Sequence, residues 1–410
     1  MKTFHLVLTI FVWISVFSLG AAALDGQGKQ ENFKDDYWAW KNRPHDKFND
    51  GEKMFELVKE TLMKKYQNAN ITEDDIYRAA VEGMLSNIGH LSWDKLLSPT
   101  EVIEMKNDLD GEIVGIGIEL KYDPDSGTAD ILGVIAGTPS EKVGLKAGDK
   151  ILKVNGKSYK GQQFRDMVYD IRGQAGETVH LTLLRDDKII SKDVRREKVT
   201  WDTVRSETLD HNVGVITINY FSSKTPQLLK ESLERLKTKN IKALVLDLRQ
   251  NDGGYFDGMI QSAELFVPAG QVILTTVKRG GVEEPVISKG SSLLGKNIPV
   301  EVLVNGETSS SAEMLAGSLK ENIGAKIIGQ KTKGKWSAQS LEELPNKYAI
   351  KYTVSFFKTP QGEELDGKGL EPDVVVDFDG DKVEKARRLM SETERLKTDV
   401  QLRTALNLVK

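Results

Sequence analysis

The spacing of apolar residues changes twice along the chain, and each stretch of constant spacing predicts a different kind of structure. Between residues 51 and 107, apolar side chains recur at intervals of three and four, which is typical of amphipathic helices. From residue 111 to 197, short apolar runs are separated by Gly, Asp and Asn, which predicts a small β-rich unit. From residue 213 onward, strand-like and helix-like segments alternate, and this predicts an α/β unit on a parallel sheet.

The fold class that follows is a multidomain α+β protein. We expect a helical region at 24–110, a β-rich domain at 111–197, an α/β domain at 198–378 and a charged helical tail at 379–410. The apolar strand from Ala243 to Leu248 is typical of a buried parallel sheet. The β-rich domain is expected to close with a helix from Gly161 to Ile171 and a last strand from Val179 to Leu184.

The first 23 residues have the pattern of an export signal. Lys2 precedes an apolar run from Phe4 to Leu19, and small residues follow at 20–23. We expect cleavage after Ala23 and an exported protein, periplasmic or otherwise extracytoplasmic; an uncleaved signal would instead associate the protein with a membrane. The chain has no Cys, so an exported form must be held together by core packing rather than disulfides.

The net charge of -4 gives no positive field that would indicate a nucleic acid as partner. The histidines after residue 23 lie at 45, 90, 180 and 211, and none of them has the spacing of a zinc site. Since neither a nucleic-acid partner nor a histidine zinc site is indicated, the candidate chemical groups are hydroxyls, amines and backbone N–H groups.

A hydroxyl-rich turn links the strand 300–304 to a predicted helix from Ser311 to Asn322. A serine at such a helix start, Ser310, would lie near backbone N–H groups, which suits a nucleophile whose substrate carbonyl becomes an oxyanion. The same spacing, Ser310 with Glu313 three residues later, is a helix-capping pattern that needs no catalysis. The segment alone leaves both interpretations open.

A serine nucleophile needs a base, and the sequence offers lysines after the strand 326–329. Lys331, Lys333 and Lys335 all lie in this loop. A lysine base must be uncharged near neutral pH, which requires lowering its pKa from ~10.4 by roughly three units. The alternative is an ordinary solvated basic loop.

A third segment, Gly253-Gly254, follows the buried strand at the carboxyl edge of the predicted sheet, where ligand sites of α/β proteins usually lie. Two glycines would allow backbone N–H groups to face a carbonyl oxygen. A tight turn without function explains the same residues.

Taken together, these segments resemble the C-terminal processing peptidases, or tail-specific proteases, a family of serine peptidases with a Ser/Lys pair and a PDZ domain. Leu246 to Gly254 follows the family's Leu-Asp-Leu-Arg-x-Asn-x-Gly-Gly pattern, and the family's serine falls on Ser310. The family's base lies 25 residues after the serine, at Lys335, and its glutamine falls on Gln339. The resemblance extends over residues 52–410 and includes these further segments: Val143–Asp149, Ile171–Gly176, Gly367–Asp373 and Asp399–Leu406.

The resemblance implies an α/β core of the ClpP/crotonase type and a serine endopeptidase that needs no metal or cofactor. Ser310 would be the nucleophile, Lys335 the general base and Gln339 the residue that orients it. The oxyanion would bind backbone N–H groups of Gly253 and Ser311.

The resemblance also implies that residues 111–197 are a PDZ domain. Its loop Gly115, Ile116, Gly117 and Ile118 would hold the terminal carboxylate of a protein substrate with an apolar C-terminal tail. The N- or C-terminal helices could pair two copies of the chain in a homodimer.

Three positions depart from the family pattern, namely Glu307 and Trp336, where the family has Gly, and Lys333, where it has an aromatic residue. These departures keep two other functions open. One is a non-catalytic tail-binding adaptor on an inert peptidase fold, and the other is a hydrolase of small esters or amides.

Overall fold

The structure is a computed structural model that describes residues 50–88, 93–162, 164–200, 203–294, 298–377, 380, 383 and 392–409. The predicted export signal at 1–23 and the following segment at 24–49 lie outside the described residues. Residues 54–410 form one compact unit.

The N-terminal region contains three helices and one short strand. The helices are α1 (Gly51–Lys65), α2 (Glu73–Ile88) and α3 (Pro99–Leu109). Ser98 caps α3 with a capping box to Glu101. The strand β1 (Lys95–Leu97) was not expected from the helical spacing, and it pairs with a strand more than 250 residues later in the chain.

The β-rich domain contains seven described strands and two short helices. Its strands are β2 (Glu112–Gly115), β3 (Ile118–Asp123), β4 (Thr128–Val134), β5 (Lys150–Val154), β6 (Thr178–Arg185), β7 (Lys188–Arg195) and β8 (Glu197–Thr200). Its helices are α4 (Pro139–Lys142) and α5 (Phe164–Ile171). The main sheet has the order β3-β4-β5-β6-β7, so β3 lies at its edge. The expectation that a strand at 179–184 closes the domain was wrong, because β7 and β8 follow it.

The α/β domain is built on a six-stranded sheet in the order β18-β15-β14-β11-β10-β9. Its strands are β9 (Val204–Leu209), β10 (Val213–Ile218), β11 (Ala243–Asp247), β14 (Val300–Val304), β15 (Lys326–Gly329) and β18 (Val374–Val375). All neighbouring pairs from β10 to β18 are parallel, and only β9 is antiparallel. The parallel sheet expected from the apolar strands is therefore present.

Helices cover both faces of this sheet. On one face lie α6 (Thr225–Thr238), α7 (Phe256–Ala263) and α8 (Ser311–Ile323), which enclose the largest apolar cluster. On the other face, α10 (Val400–Leu408), which follows α9 (Glu392–Thr398), covers a second cluster with Leu402 and Leu406. Burial on both faces explains why the strands are apolar throughout rather than alternating.

A second sheet completes the α/β domain. It contains β12 (Val272–Lys278), β13 (Glu283–Ile287), β16 (Ser337–Glu343) and β17 (Ala349–Lys358), together with β1 from the N-terminal region. Within β17, Phe357 packs into the core and stacks on Phe256 at 4.9 Å between ring centroids. The multidomain α+β fold is thus confirmed.

Candidate active site

Three loops meet at the carboxyl edge of the parallel sheet, and each carries residues predicted to act chemically. The loop 248–254 follows β11, the turn 305–310 follows β14, and the loop 330–336 follows β15. Because β11, β14 and β15 are adjacent and parallel, their carboxyl ends lie side by side. The fold therefore brings together segments that are separated by about 80 residues in the sequence.

Ser310 lies at the start of α8 in a backbone conformation that an ordinary helix cap does not use. Its φ is 54° and its ψ is -123°, whereas a normal N-cap residue lies in the extended region. A non-glycine residue at positive φ is strained by its Cβ, and such strain concentrates at functional sites. Ser310 is also largely buried, with 9% of its surface exposed.

The buried carboxylate of Glu313 joins the serine turn to the lysine loop. Its Oε2 accepts the N–H of Ser310 at 2.9 Å and the N–H of Lys335 at 2.8 Å. Its Oε1 accepts the N–H of Gly334 at 2.7 Å and the hydroxyl of Thr332. The capping interpretation of Glu313 is thus incomplete, because the same carboxylate also fixes the loop that carries the predicted base.

These bonds restrict how far the two predicted catalytic residues can separate. The main-chain nitrogens of Ser310 and Lys335 both bind one oxygen, so they are separated by at most the length of these two hydrogen bonds. Burial raises the pKa of Glu313, and its hydrogen bonds act in the opposite direction.

Lys335 extends into a buried environment that disfavours its charge. Burial, followed by the positive charge of Lys351, lowers the pKa of Lys335 from 10.5 to about 8, while Asp252 and Glu313 act against this shift. Its Nζ lies 4.5 Å from the centroid of the Trp93 ring. Within the described part of the chain, no hydrogen bond joins this nitrogen to the hydroxyl of Ser310.

The glycine turn approaches Ser310 so closely that a side chain would not fit. A Cβ on Gly253 would lie 2.7 Å from Cβ of Ser310 and 3.1 Å from the nitrogen of Ser311. Both glycines have positive φ, 104° for Gly253 and 127° for Gly254. The N–H of Gly253, however, donates to Oδ1 of Asn251 at 2.9 Å, so in this state an internal acceptor occupies one of the two predicted oxyanion donors.

Gln339 lies at the start of β16 and does not contact Lys335 here. Its amide nitrogen is 3.2 Å from Oγ of Ser337 and 3.3 Å from Oγ1 of Thr353. The structure therefore brings together Ser310, Ser311, Lys335 and Gly253, and it places Gln339 with other partners.

Two of the three departures from the family pattern contact each other. Nζ of Lys333 lies 3.3 Å from Oε2 of Glu307 at the exposed rim of the site. Trp336 is fully buried and packs on Gly317 of α8, where an added Cβ would lie 3.0 Å from the indole. Trp336, which follows the predicted base, therefore fills space in the core beneath the loop and does not block the site.

Sequence reasoning missed the ion cluster beneath the glycine turn. Arg249 donates to both carboxylate oxygens of Asp247 at 2.9 and 2.6 Å and to both of Asp399 at 2.8 Å. Burial acts to lower the pKa of Arg249, but the two carboxylates outweigh it and raise this pKa. The Asp-x-Gln pattern that begins α10 was the available signal, since Gln401 also lies 3.2 Å from Arg249.

The predicted tail-binding loop lies between β2 and β3. The carbonyl of Ile116 accepts the N–H of Ser140 and that of Gly117 accepts the N–H of Ile135, both at 3.0 Å, so the loop is fixed within its own domain. Gly117 has a φ of 81° and packs against Thr138, where no Cβ would fit. Beside the loop, the edge strand β3 has β4 on one side only within the described sheet.

Comparisons with known proteins agree with this architecture. Residues 212–376 match peptidase family S41, and residues 114–195 match the PDZ domain. The chain is 31% identical over 326 residues to a probable CtpA-like serine protease of Staphylococcus aureus (strain MRSA252), covering 80% of this chain and 64% of that protein. It is 30% identical over 328 residues to a probable CtpA-like serine protease of Staphylococcus epidermidis, covering 79% and 65%.

Among solved structures, the photosystem II D1 C-terminal processing protease is 26% identical, with a TM-score of 0.50 over 86% of this chain and 94% of that chain. A putative S41 protease from Bacteroides fragilis, at 18% identity and a TM-score of 0.53 over 86% of this chain and 96% of that chain, shows the fold alone. The chain spans just under two thirds of the length of the staphylococcal relatives.

The fold and the loops at its edge define an α/β protein of the S41 type that also carries a PDZ domain. Residues 212–376 belong to peptidase family S41, and the chain resembles the CtpA-like and C-terminal processing proteases. No helix of the described residues has the length and apolar character that a membrane span requires.

Proposed function

We propose that the protein is a serine endopeptidase that cleaves exported proteins selected by their C-terminal tails, with Ser310 as nucleophile and Lys335 as general base. The observation that carries the proposal is the Glu313 carboxylate, which binds the main chain of both residues and fixes them side by side. The strained backbone of Ser310 and the lowered pKa of Lys335 support it.

The reaction would proceed by acyl transfer. Oγ of Ser310 attacks the scissile carbonyl, and neutral Lys335 takes the hydroxyl proton. The N–H of Ser311 stabilises the oxyanion, together with the N–H of Gly253 once this group turns from Asn251 to the substrate. The intermediate then expels the amine, which receives the proton from Lys335, and water hydrolyses the acyl-enzyme by the same steps.

Gln339 would orient Lys335 only after a change of partner. Its amide is bound to Ser337 and Thr353, and Lys335 is directed at Trp93. Catalytic hydrogen bonds are often absent in a substrate-free protein and form in the complex. We therefore assign this structure to a resting state of the site.

Tail recognition would use the edge strand β3. A substrate C-terminus would add as a strand beside β3, with its carboxylate at the loop Gly115–Ile118 and its apolar side chains between β3 and α5. Tyr122 of β3 stacks on Phe164 of α5 at 5.5 Å, which gives the far end of this groove an aromatic wall. This aromatic pair supports a preference for apolar tails.

Self-association would use the first two helices. Leu57, Val58, Tyr66 and Met84 expose between 52% and 60% of their surfaces, and exposed apolar patches on a folded protein often mark an interaction surface. We propose a homodimer through this face. Sedimentation of wild type and Leu57→Glu at the same concentration tests it, and an unchanged mass in the variant would reject the face.

The decisive experiment incubates an unstructured protein with an apolar C-terminus with wild type and with Ser310→Ala, and follows the fragments by mass spectrometry. Wild type is expected to cleave it, Ser310→Ala to bind it intact, and a substrate with two terminal Asp residues to be cleaved more slowly. Binding without cleavage by both proteins would establish the adaptor function instead. Hydrolysis of a small ester without cleavage of the protein would establish the ester or amide hydrolase.

A further inference from the structure

The side chain of Lys335 is in contact with a residue from the N-terminal region, far from it in sequence. Nζ of Lys335 lies 4.5 Å from the centroid of the Trp93 ring. Trp93 lies two residues before β1, which begins at Lys95 and pairs with β17 in the register Lys95↔Lys351. The region predicted as a separate helical unit thus contributes a side chain to the candidate active site.

Trp93 is held at this position by its neighbour. Asp94 is buried, and its Oδ1 accepts both the N–H and the hydroxyl of Thr353 at 2.8 Å. The hydroxyl of Thr353 is in turn 3.3 Å from the amide of Gln339. The tryptophan and the predicted orienting residue are therefore anchored through the same residue of β17.

The geometry has a chemical consequence for the lysine. An ammonium group near an indole ring is attracted by the ring's π electrons, and tryptophan is the most effective side chain for this contact. The attraction acts on the charged form alone. It therefore favours protonated Lys335 and competes with the hydroxyl of Ser310 for the same ammonium group.

Other charged groups also act on Lys335, and a substitution at Trp93 removes none of these charges. Lys351 on β17 and Lys333 in the same loop favour the uncharged lysine. Asp252 in the glycine turn and Glu313 on α8 favour the charged lysine. A replacement of Trp93 by an apolar side chain therefore removes the attraction of the ring and leaves these charges in the protein.

We propose that Trp93 is a positioning residue of the active site, whose ring holds the ammonium group of Lys335 in the substrate-free protein and must release it before the lysine can act as base. The role in catalysis rests on the proposed peptidase function. The contact itself does not, since it concerns only the protonation of Lys335.

The test measures that protonation without using activity. In a Ser310→Ala background, competitive labelling with trace acetic anhydride across pH, followed by mass spectrometry of the Lys335 peptide, gives the pH midpoint of this amine. Greater access to reagent changes the final labelling rate but not the midpoint. Trp93→Leu is expected to lower the midpoint by about half to one pH unit, and Trp93→Phe by less.

The matched control is Tyr348→Leu, because Tyr348 lies one residue before β17 and its ring packs 5.3 Å from the guanidinium of Arg78 on α2, so its loss should leave Lys335 unchanged. An unchanged or higher midpoint in both Trp93 variants would overturn the proposal. If Trp93→Leu fails to fold, Trp93→Phe alone is the test. A midpoint below that of wild type supports the proposal, and an unchanged or higher midpoint overturns it.

The activity readout separates the two proposals. With Ser310 intact, the acidic limb of kcat/KM, which reports the substrate-free enzyme, should move to lower pH in Trp93→Leu by the same amount as the labelling midpoint. A shifted midpoint in a protein that cleaves nothing would reject the peptidase function and leave the Trp93 contact standing. A moved labelling midpoint with an unmoved acidic limb of kcat/KM would reject the role of Trp93 in catalysis.

Discussion

Two cations lie at the same edge of the parallel sheet, Arg249 buried and Lys335 partly buried, and their surroundings differ completely. Arg249 is enclosed by the carboxylates of Asp247 and Asp399, with hydrogen bonds between 2.6 and 2.9 Å. Lys335 is directed at the ring of Trp93, and within the described residues no carboxylate forms an ion pair with its Nζ. The guanidinium has a raised pKa, and the amine has one lowered to about 8.

The difference separates a structural cation from one whose lowered pKa suits the proposed proton transfer. A guanidinium with two buried carboxylates can neither lose its charge nor move without leaving partners unpaired. An amine buried without such a partner loses its charge near neutral pH, which a general base requires. One sheet edge thus holds a fixed support under the glycine turn and a titratable group beside the serine.

Replacing Lys335 should have the largest effect on activity. Lys335→Met is expected to lower kcat for tail-bearing substrates by at least about 1000-fold, because the serine loses its base. Its free energy of unfolding should stay the same or rise at pH 7, since the variant no longer buries a charge. Initial cleavage rates and urea denaturation check the two expectations, and Lys333→Met provides the matched control with nearly normal activity.

Replacing Arg249 should give the opposite pattern. Arg249→Met removes the cation that neutralises the buried carboxylates of Asp247 and Asp399, so the free energy of unfolding should fall by about 3–5 kcal/mol. Asp399→Asn keeps the shape and should lose less. Chemical denaturation measures both, and a stability equal to wild type in Arg249→Met would show that the cluster is not the support described here.

The pH dependence of stability sharpens the contrast. The pKa of Lys335 is about 8 in the folded protein and 10.5 when unperturbed, so between these values the unfolded chain binds the additional proton. Wild type should therefore gain up to about 3 kcal/mol relative to Lys335→Met as the pH rises from 8 toward 10.5. Equal slopes for both proteins in this window would contradict the lowered pKa.

The smallest effect is expected at the exposed ion pair of the rim. Glu307→Gln should change the free energy of unfolding by less than about 0.5 kcal/mol, because Glu307 and Lys333 are both well exposed to solvent. Thermal denaturation at low and high salt checks this. A larger loss that disappears at high salt would show that the pair orders the lysine loop.

Local patterns were sufficient to predict the sheet and the serine turn. The apolar run of β11 and the Gly-Gly turn after it follow directly from burial on both faces and from positive φ. The apolar run from Ile113 to Leu120 looks like one strand, but it is divided at Ile116 and Gly117, because their carbonyls accept the N–H groups of Ser140 in α4 and of Ile135 after β4 instead of continuing a ladder. Sequence periodicity does not show such a break.

Contacts between distant segments could not be predicted in this way. The strand β1 has only three residues and pairs with β17, so neither its length nor its spacing distinguishes it from a loop. The Asp399 partner of Arg249 is 150 residues away, and the second role of Glu313 depends on a loop that starts at residue 330. In each case the fold brings distant segments together, and no local sequence pattern predicts the contact.

The most direct test of the central claim is acylation of the serine itself. A p-nitrophenyl ester of an apolar peptide is mixed with the protein at different pH values, quenched in acid, and the acyl group is located by mass spectrometry. We expect acylation of Ser310 that rises with pH around a midpoint near 8 and is lost in Lys335→Met. Acylation at another residue, or acylation of Ser310 that persists in Lys335→Met, would contradict it.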